Sequence, residues 1–336
     1  MIDKIKSIFI IPELRQRILF TVGVLVIVRI GAHIPIPGVN GEILAEAFTD
    51  MKTGLFGLFN TFVGGAFEKA SLFSLGIMPY ISSSIIIQLM GSVVPYFQRL
   101  QKEGEAGRKK INQITRYGTV LLSTMQSYGV VAVFLPSLNS NGVPVVPNPG
   151  LIFIFTGLVS MVTGTLFLMW LGERITERGI GNGISLIIMV GIVAAFPNVI
   201  LNEVTLLREN VRGWLSEIVL MGIMFGIICF VVLLTQGTRK IPVQYAKRVV
   251  GRKVYGGQNT HIPMRVNTAG VMPIIFAQSI MFIPSTLSTF LGDSDFSVML
   301  MGWFSFEHPF YWTVFGLMII FFTYFYTAIA FDPVQV

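Results

Sequence analysis

The chain has 336 residues, of which 53% are hydrophobic and 12% charged, and its mean hydropathy is +0.73. Soluble globular domains carry roughly 25% charged residues, so this composition excludes a soluble enzyme, a disordered chain and a collagen-like protein. In a soluble protein the net charge of +7 would suggest a nucleic-acid ligand, but this chain is not expected to be soluble. The single cysteine, Cys229, excludes a disulfide within the chain, and with only three histidines no metal site or cofactor is predicted.

Eight apolar runs are long enough to cross a bilayer, which takes about 20 mainly apolar residues in a helix. They lie near residues 18–34, 73–95, 114–135, 151–171, 181–200, 215–235, 269–291 and 311–331. The first run is no cleavable signal peptide, because it is full length and lacks a small-residue cleavage pattern. Proline and glycine interrupt several runs, and the backbone groups freed there need neighbouring helices or cavity water. We therefore predict an all-α polytopic membrane protein with an aqueous interior.

Basic residues divide unevenly between the two sides of the predicted membrane. One side carries 19 of the 24 Lys and Arg and 7 of the 17 acidic residues, about +12, while the other side is near −6. Because cytoplasmic loops carry the excess of Lys and Arg, residues 1–17 are predicted to form a cytoplasmic N-terminal segment. Topology alone is enough to explain this bias.

The stretch 54–70 (TGLFGLFNTFVGGAFEK) is too apolar for a solvated external loop and too short and glycine-rich to cross the membrane. One interpretation is a packed re-entrant or interfacial segment. The other is a short helix folded into a cavity from outside, whose glycines permit close packing and movement. The pattern alone leaves both interpretations open.

The polar residues within the predicted spans are mostly neutral. They include Ser82, Ser83, Ser84, Gln88, Thr124, Gln126, Asn182, Ser185, Gln278 and Ser279. Pumps usually need buried ionisable groups to move charge, whereas Arg29 lies near an outer end, where its head is expected to extend to the interface. An ion-coupled pump is therefore disfavoured.

Catalytic patterns are missing from the sequence: there is no phosphate-binding loop, no zinc-protease motif and no nucleophile elbow. Residues 179–183 (GIGNG) resemble a nucleotide fingerprint only superficially, since no strand precedes them. We interpret them as a tight helix entry. The chain is not expected to be an enzyme, so any energy source is a partner or a gradient.

The stretch 237–267 is long for a connection between helices, and such loops are usually functional or disordered. Alternation of apolar and polar residues over 241–245 and 253–255 predicts a hairpin, with Arg252 and Lys253 near its tip. This arm either rests on anionic headgroups or docks an acidic or RNA-rich partner.

Long motifs spread over nearly the whole chain resemble the bacterial SecY family. They are residues 76–88 (GIMPYISSSIIIQ), 102–108 (KEGEAGR), 170–185 (WLGERITERGIGNGIS), 255–263 (YGGQNTHIP) and 267–273 (NTAGVMP). The family provides the channel subunit of the Sec protein translocon, a bundle of ten spans in two pseudo-symmetric inverted halves. The resemblance implies an N-terminal half at 18–200 with spans one to five. It also implies an incomplete C-terminal half at 201–336 with spans six to eight, the ninth and tenth being absent from this sequence.

The resemblance also implies an hourglass channel whose waist is a ring of aliphatic side chains. Carried over by motif position, the ring residues are Ile77, Ile81, Ile184, Ile188 and Ile275. The two pairs on spans two and five are four residues apart, so each pair stacks on one helix face. Without the resemblance these isoleucines would be taken as core or lipid contacts.

A plug and a lateral gate are further features implied by the resemblance. The segment 54–70 corresponds to the plug, a short helix seated below the ring from outside, with its centre at Phe59, Asn60, Thr61, Phe62, Val63, Gly64, Gly65 and Ala66. The gate lies between spans two and three and spans seven and eight. Ser82, Gln126 and Gln278 are its candidate polar contacts, although each could equally bond a neighbouring helix backbone.

The cytoplasmic loops at 172–180 and 237–267 resemble the surface that docks the SecA motor ATPase or a translating ribosome. Candidate contacts are Arg252, Lys253, Lys247, Arg248, Arg174 and Arg178. The other implied partners are SecE, SecG, secretory preproteins with their signal peptides, and the lipid bilayer of the bacterial plasma membrane. Headgroup contact is the alternative role of these basic residues.

The expected function is therefore a passive, gated channel for unfolded secretory polypeptides and for lateral release of membrane segments. Two other classes are weighed against it. A small-solute secondary transporter with broken helices would need buried charge, which the spans lack. An intramembrane hydrolase would need a Ser–His or paired-Asp constellation, and His33, His261 and His308 are not placed for one.

Overall fold

The computed structural model describes residues 11–49, 55–140, 142–209, 213–243, 248–250, 253–255, 260–267, 269–291, 294–305 and 308–330. Within these residues the chain is mainly helical, with three small two-stranded antiparallel sheets. The helices are α1 (Pro12–Gly31), α2 (Gly41–Thr49), α3 (Leu55–Phe62), α4 (Met78–Val93), α5 (Pro95–Lys102), α6 (Glu105–Tyr128), α7 (Leu151–Arg178), α8 (Gly183–Ala194), α9 (Phe196–Arg208), α10 (Trp214–Gln236), α11 (Met272–Leu291), α12 (Asp295–Trp303) and α13 (Pro309–Ala330). A π-helical turn, Gly129–Phe134, extends α6 to Ser137.

Helices occupy all eight predicted membrane spans. Among the described residues, five segments are long and apolar enough to cross a membrane: Glu105–Ser137, Leu151–Arg178, Gly183–Arg208, Trp214–Gln236 and Pro309–Ala328. A sixth candidate joins α4 to α5 through a bend of 97°. Helices α1 and α11 cover the first and seventh predicted runs.

The bend between α4 and α5 has a local cause. Val94 precedes Pro95, and it takes an extended conformation (φ −95°, ψ 120°) because the proline ring disfavours the helical one. Beyond the bend, Phe97 and Leu100 return to pack against Ile87 in a buried cluster. The predicted span at 73–95 is therefore helical only from Met78 and ends at the proline.

Helices α4 and α6 pack closely through small polar residues. Thr115, Thr119, Ser123 and Ser127 recur every fourth residue along α6, and all four are buried. Each hydroxyl donates to a backbone carbonyl of its own helix, and Ser83 of α4 donates to the Thr115 carbonyl at 2.8 Å. With every hydroxyl satisfied, small side chains let two helix backbones approach one another.

The entry of α8 agrees with the tight turn predicted at 179–183. Gly181 has a positive φ of +67°, and the Asn182 side chain accepts hydrogen bonds from the backbone N–H groups of Ile184 and Ser185. Asparagine at this position caps two N–H groups that have no partner within the helix. The glycine run is thus a helix cap.

The chain folds as two compact units. One contains the residues up to Val199 together with Phe276–Gly316, and the other contains Ile200–Ile275 and the residues from Leu317 onward. The predicted halves at 18–200 and 201–336 concern the pseudo-symmetry of the fold implied by the resemblance rather than compactness, and they stay a prediction.

Antiparallel strands occur in the second unit where a hairpin was predicted, but the segments at 241–245 and 253–255 belong to different sheets. Strand β3 (Thr238–Val243) pairs antiparallel with β6 (Thr260–Arg265), and β4 (Arg248–Val250) pairs with β5 (Lys253–Tyr255). The remaining sheet, in the first unit, pairs β1 (Asn139–Ser140) with β2 (Val143–Pro144).

Candidate pore and plug

The segment predicted to be the plug is a short helix that ends in a glycine turn. Helix α3 stops at Phe62, and the following Gly64 and Gly65 have φ of +71° and +80°, a conformation that glycine adopts without strain. Their N–H groups bond the carbonyls of Thr61 and Asn60 at 3.1 and 2.8 Å, so the helix end is capped.

A cluster of four phenylalanine rings packs this segment against its neighbours. Phe67 lies edge-on to Phe59 and Phe48, with ring centroids 5.2 and 5.4 Å apart, and it stacks on Phe134 of the π-helical turn at 5.7 Å. All four rings are buried. Such pairs add about 0.5–1.5 kcal/mol each beyond their burial.

A pair of side-chain hydrogen bonds closes the segment on itself. Asn60 donates from Nδ2 to the Glu68 carboxylate at 2.9 Å, and its Oδ1 accepts from the Glu68 backbone N–H at 3.1 Å. The helix and the turn after it are thereby tied together as a single unit.

The glycine turn lies in very close contact with the backbone of α8 at Gly191 and with the backbone at Gly76. A Cβ atom added to Gly64 would be 2.8 Å from the Gly191 Cα of α8, and one added to Gly191 would be 2.9 Å from the Phe62 carbonyl oxygen. A Cβ on Gly76 would meet the Val63 side chain at 3.2 Å. We call this contact between the turn and α8 the seat of the segment. It leaves no room for a methyl group at Gly64 or Gly191.

A small pocket of about 30 Å³, lined mostly by apolar side chains, lies beside this seat. Its lining includes Ile77, Ile187, Ile188, Phe62, Val63 and Phe73. Two of the predicted ring isoleucines, Ile77 and Ile188, therefore share one pocket with two residues of the predicted plug. Ile77 is buried directly before α4, and Ile188 is half-buried on α8.

The other predicted ring residues are placed elsewhere. Ile81 is buried one turn further along α4, while the Ile184 side chain packs on Gly172 of α7. Ile275 belongs to the second compact unit and is half-buried there. The complete five-membered ring stays a prediction.

Arg29 is the residue whose role the sequence did not reveal. Its head was expected at the membrane interface, but Nη1 instead donates to the Gly64 carbonyl at 3.0 Å, and the side chain lines the pocket. The signal that could have pointed to it is general: an ionisable residue within a membrane span usually has a specific partner. Its partner here is a main-chain atom, which a sequence motif does not mark.

The predicted gate residues lie on three helices of the first unit. Ser82 on α4 and Gln126 on α6 are half-buried, and Gln278 on α11 is buried. Next to Gln278, the Ser279 hydroxyl contacts the Met78 sulfur of α4 at 4.0 Å. Helices α4 and α11 are thus in contact, which is the seam where the gate was predicted.

The basic residues near the C-terminal end of α7 differ in their surroundings. Arg174 pairs with Glu177 at 2.9 Å and lies over the Trp170 ring at 5.4 Å, whereas Arg178 is exposed in the last helical turn. A bidentate ion pair also joins Arg116 of α6 to Glu173 of α7.

The arm residues are only partly described. Arg248 is paired with Tyr255 across strands β4 and β5, and Lys253 is paired with Val250. Lys247 and Arg252 lie outside the described residues.

The described site consists of packed side chains and backbone contacts. No group of three metal-ligating side chains occurs among the residues that the structure describes. The pocket lies between helices, and α3 with its glycine turn is seated beside it.

Comparisons with known proteins agree with these observations. Residues 71–336 match the sequence profile of the SecY family. The protein translocase subunit SecY of Buchnera aphidicola subsp. Acyrthosiphon kondoi is 47% identical over 325 residues, which are 96% of this chain and 90% of that protein. Subunits of the same name from Escherichia coli (strain K12) and Aquifex aeolicus (strain VF5) are 46% and 42% identical, and the matches cover 73% and 78% of their lengths.

Solved structures show the same fold. A protein-conducting channel superposes with a TM-score of 0.58 at 16% identity, over 85% of this chain and 59% of the other. A SecY structure whose plug domain stabilises the closed state of the translocation channel gives a TM-score of 0.60, with the same identity and coverage. This chain spans less than two thirds of those chains, and the likeness confirms the all-α bundle predicted from its sequence.

Proposed function

The chain belongs to the SecY family, and we propose that it forms the membrane-embedded channel subunit of a bacterial protein translocase. Unfolded secretory polypeptides pass through it across the plasma membrane, and membrane segments leave it sideways into lipid. Relatives at 42–47% identity that are named translocase subunits support this proposal. They give no support to the solute-transporter alternative.

The observation that carries the proposal is the shared pocket of Ile77, Ile188, Phe62 and Val63. Aliphatic side chains offer no hydrogen bonds, so they let a polypeptide of any sequence pass without trapping it. The same surface resists ion leakage by dewetting. A plug segment seated beside these isoleucines closes the passage at rest and moves away when a polypeptide enters.

Energy for transport comes from partners in this proposal. The motor SecA or a translating ribosome binds the cytoplasmic surface, with Arg178 and the arm residues Lys247, Arg248, Arg252 and Lys253 as candidate contacts. Arg174 contributes less, because Glu177 and Trp170 already engage its guanidinium. A partner favours the open channel only if it binds that state more tightly than the closed one.

SecE and SecG complete the translocase, and signal peptides of secretory preproteins bind at the lateral gate. The contact of Ser279 with Met78 supports a gate between α4 and α11. Ser82, Gln126 and Gln278 add moderate polarity to that seam, which sets how apolar a segment must be before it opens the gate. The chain is a passive pore with its N-terminus in the cytoplasm.

Cross-linking of a stalled substrate tests the pore. Cys229 is replaced by Ser, a single cysteine is placed at Ile188, and a secretory chain with one cysteine is stalled during translocation by the full translocase. We expect a disulfide at position 188 and none at Met189, the next residue on α8, which is 49% exposed. Intact translocation without a disulfide at position 188, 77 or 81 would place the pore elsewhere.

A further inference from the structure

Arg29 is a charged side chain in apolar surroundings. It lies in the last turn of α1, is half-buried, and lines the pocket that also contains Ile77 and Ile188. A charge at membrane depth is expensive and is usually retained for a function. The partner of Arg29 is the Gly64 carbonyl, which accepts a hydrogen bond from Nη1 at 3.0 Å.

The geometry around Gly64 admits only glycine. A Cβ at this position would be 2.8 Å from Arg29 Nη1 and 2.8 Å from the Gly191 Cα, and the backbone φ of +71° is one that L side chains rarely adopt. Glycine therefore lets the guanidinium reach the main chain of the plug while the same turn touches α8.

Hydrogen bonds from an ionised donor are stronger than neutral ones, and low polarity around them increases the difference. The bond links α1, which carries Arg29, to the turn that follows α3. It joins two segments that are 35 residues apart in the chain. When the turn leaves its seat, the guanidinium loses this acceptor, so departure of the plug carries an electrostatic cost.

We infer that Arg29 is a positioning residue for gating: it latches the plug in the closed channel by holding the Gly64 carbonyl. This inference rests on the proposed function, since it assigns the force that keeps the plug seated. Because the latch binds a backbone carbonyl, it acts on the position of the plug turn and is indifferent to the plug's side chains.

The test measures how often the plug leaves its seat in the complete translocase. In a Cys229→Ser background a single cysteine replaces the half-buried Val63, and proteoliposomes are treated with a membrane-impermeant thiol reagent. Three variants are compared with this parent: Arg29→Gln, Arg29→Lys and Arg17→Gln. Arg17 is the matched control, because it is an exposed arginine of the same helix.

Arg29→Gln is expected to label position 63 at least fivefold faster and to raise the resting ion leak, with an unchanged melting temperature. Arg29→Lys keeps the charge but ends one bond short of Nη1, so an intermediate rate is expected. Arg17→Gln should match the parent. A merely structural role for Arg29 would lower the melting temperature instead of changing the labelling of a folded channel.

Parental labelling in a folded Arg29→Gln channel would overturn the latch. If that variant does not fold, Arg29→Lys decides alone: labelling at least twofold faster supports the latch, and the parental rate overturns it. Failure of the latch would leave substrate cross-linking at Ile188 intact. Loss of that cross-linking in the parent would instead count against the proposed function.

Discussion

At the scale of single residues, the seat of the proposed plug depends on the absence of side chains. Gly191 lies within α8, where alanine would ordinarily be favoured by about 1 kcal/mol over glycine. Here a methyl group would approach the Phe62 carbonyl oxygen to 2.9 Å. Steric overlap of this kind typically costs about 1–3 kcal/mol, so the clash outweighs the gain in helix propensity.

Gly191→Ala is therefore expected to lower the melting temperature of the detergent-solubilised translocase and to speed labelling of a cysteine at Val63. Gly23→Ala in α1 is the control, because nothing lies within 4 Å of the added methyl group. The control should leave the melting temperature unchanged or slightly higher. Equal melting temperatures for Gly191→Ala and Gly23→Ala would show that α8 and the plug turn are further apart than the structure indicates.

At the scale of elements, the hydrogen bonds between Asn60 and Glu68 make α3 and its turn a single unit. Asn60→Ala removes both bonds, each worth roughly 0.5–1.5 kcal/mol net. We expect α3 to fray while the aromatic cluster around Phe67 stays packed. Faster hydrogen exchange confined to α3 would be the measured sign, and an unchanged exchange pattern would contradict it.

Thr61→Ala provides the comparison for that experiment. Thr61 is the next residue of α3 and is exposed, and among the contacts described its side chain bonds only the Gly57 carbonyl of its own helix. Its loss should leave exchange in α3 near the parental rate.

The bend between α4 and α5 depends on a proline and on the packing of a buried side chain. Pro95 disfavours a continuous helix, but burial of Leu100 at 2% exposure against Ile87 supplies the packing energy. Leu100→Ala is expected to destabilise the protein by about 2–5 kcal/mol, seen as a lower melting temperature. Tyr96→Ala, at a position 57% exposed on the same helix, should have little effect, and similar losses for both would contradict this account.

At the scale of the whole molecule, the sequence predicts the helices, which depend on long apolar runs. It does not predict how each helix is rotated about its own axis. The helices in the apolar runs follow from hydropathy because each run covers many residues, and five of the described segments, or six with the bent pair α4 and α5, are long and apolar enough to cross a membrane. The pocket takes Ile187, Ile188 and Gly191 from α8, whereas the ring carried over by motif position takes Ile184 and Ile188. Both Ile184 and Ile187 lie close to Gly172 of α7, and which face of a helix meets a neighbour depends on tertiary packing.

The same limit explains Arg29. Sequence hydropathy places it near a span end, where a long side chain ordinarily extends to water. Its inward direction depends on a carbonyl 35 residues away, and that carbonyl is available only because Gly64 adopts a left-handed conformation. A local pattern does not contain this information.

Charge distribution over the whole chain leads to a last prediction, on orientation. The side with 19 of 24 basic residues should face the cytoplasm, which puts the two ends of α7 on opposite sides of the membrane. In a Cys229→Ser background, a cysteine at the exposed Val143, shortly before α7, should react with an impermeant thiol reagent on intact spheroplasts. A cysteine at the exposed Arg178 should react only after permeabilisation.

Detergent-solubilised protein, in which both cysteines must react, controls for intrinsic reactivity. Labelling of position 178 but not 143 on intact spheroplasts would mean that the chain has the opposite orientation, and that the arm at 238–265 cannot dock a cytoplasmic motor.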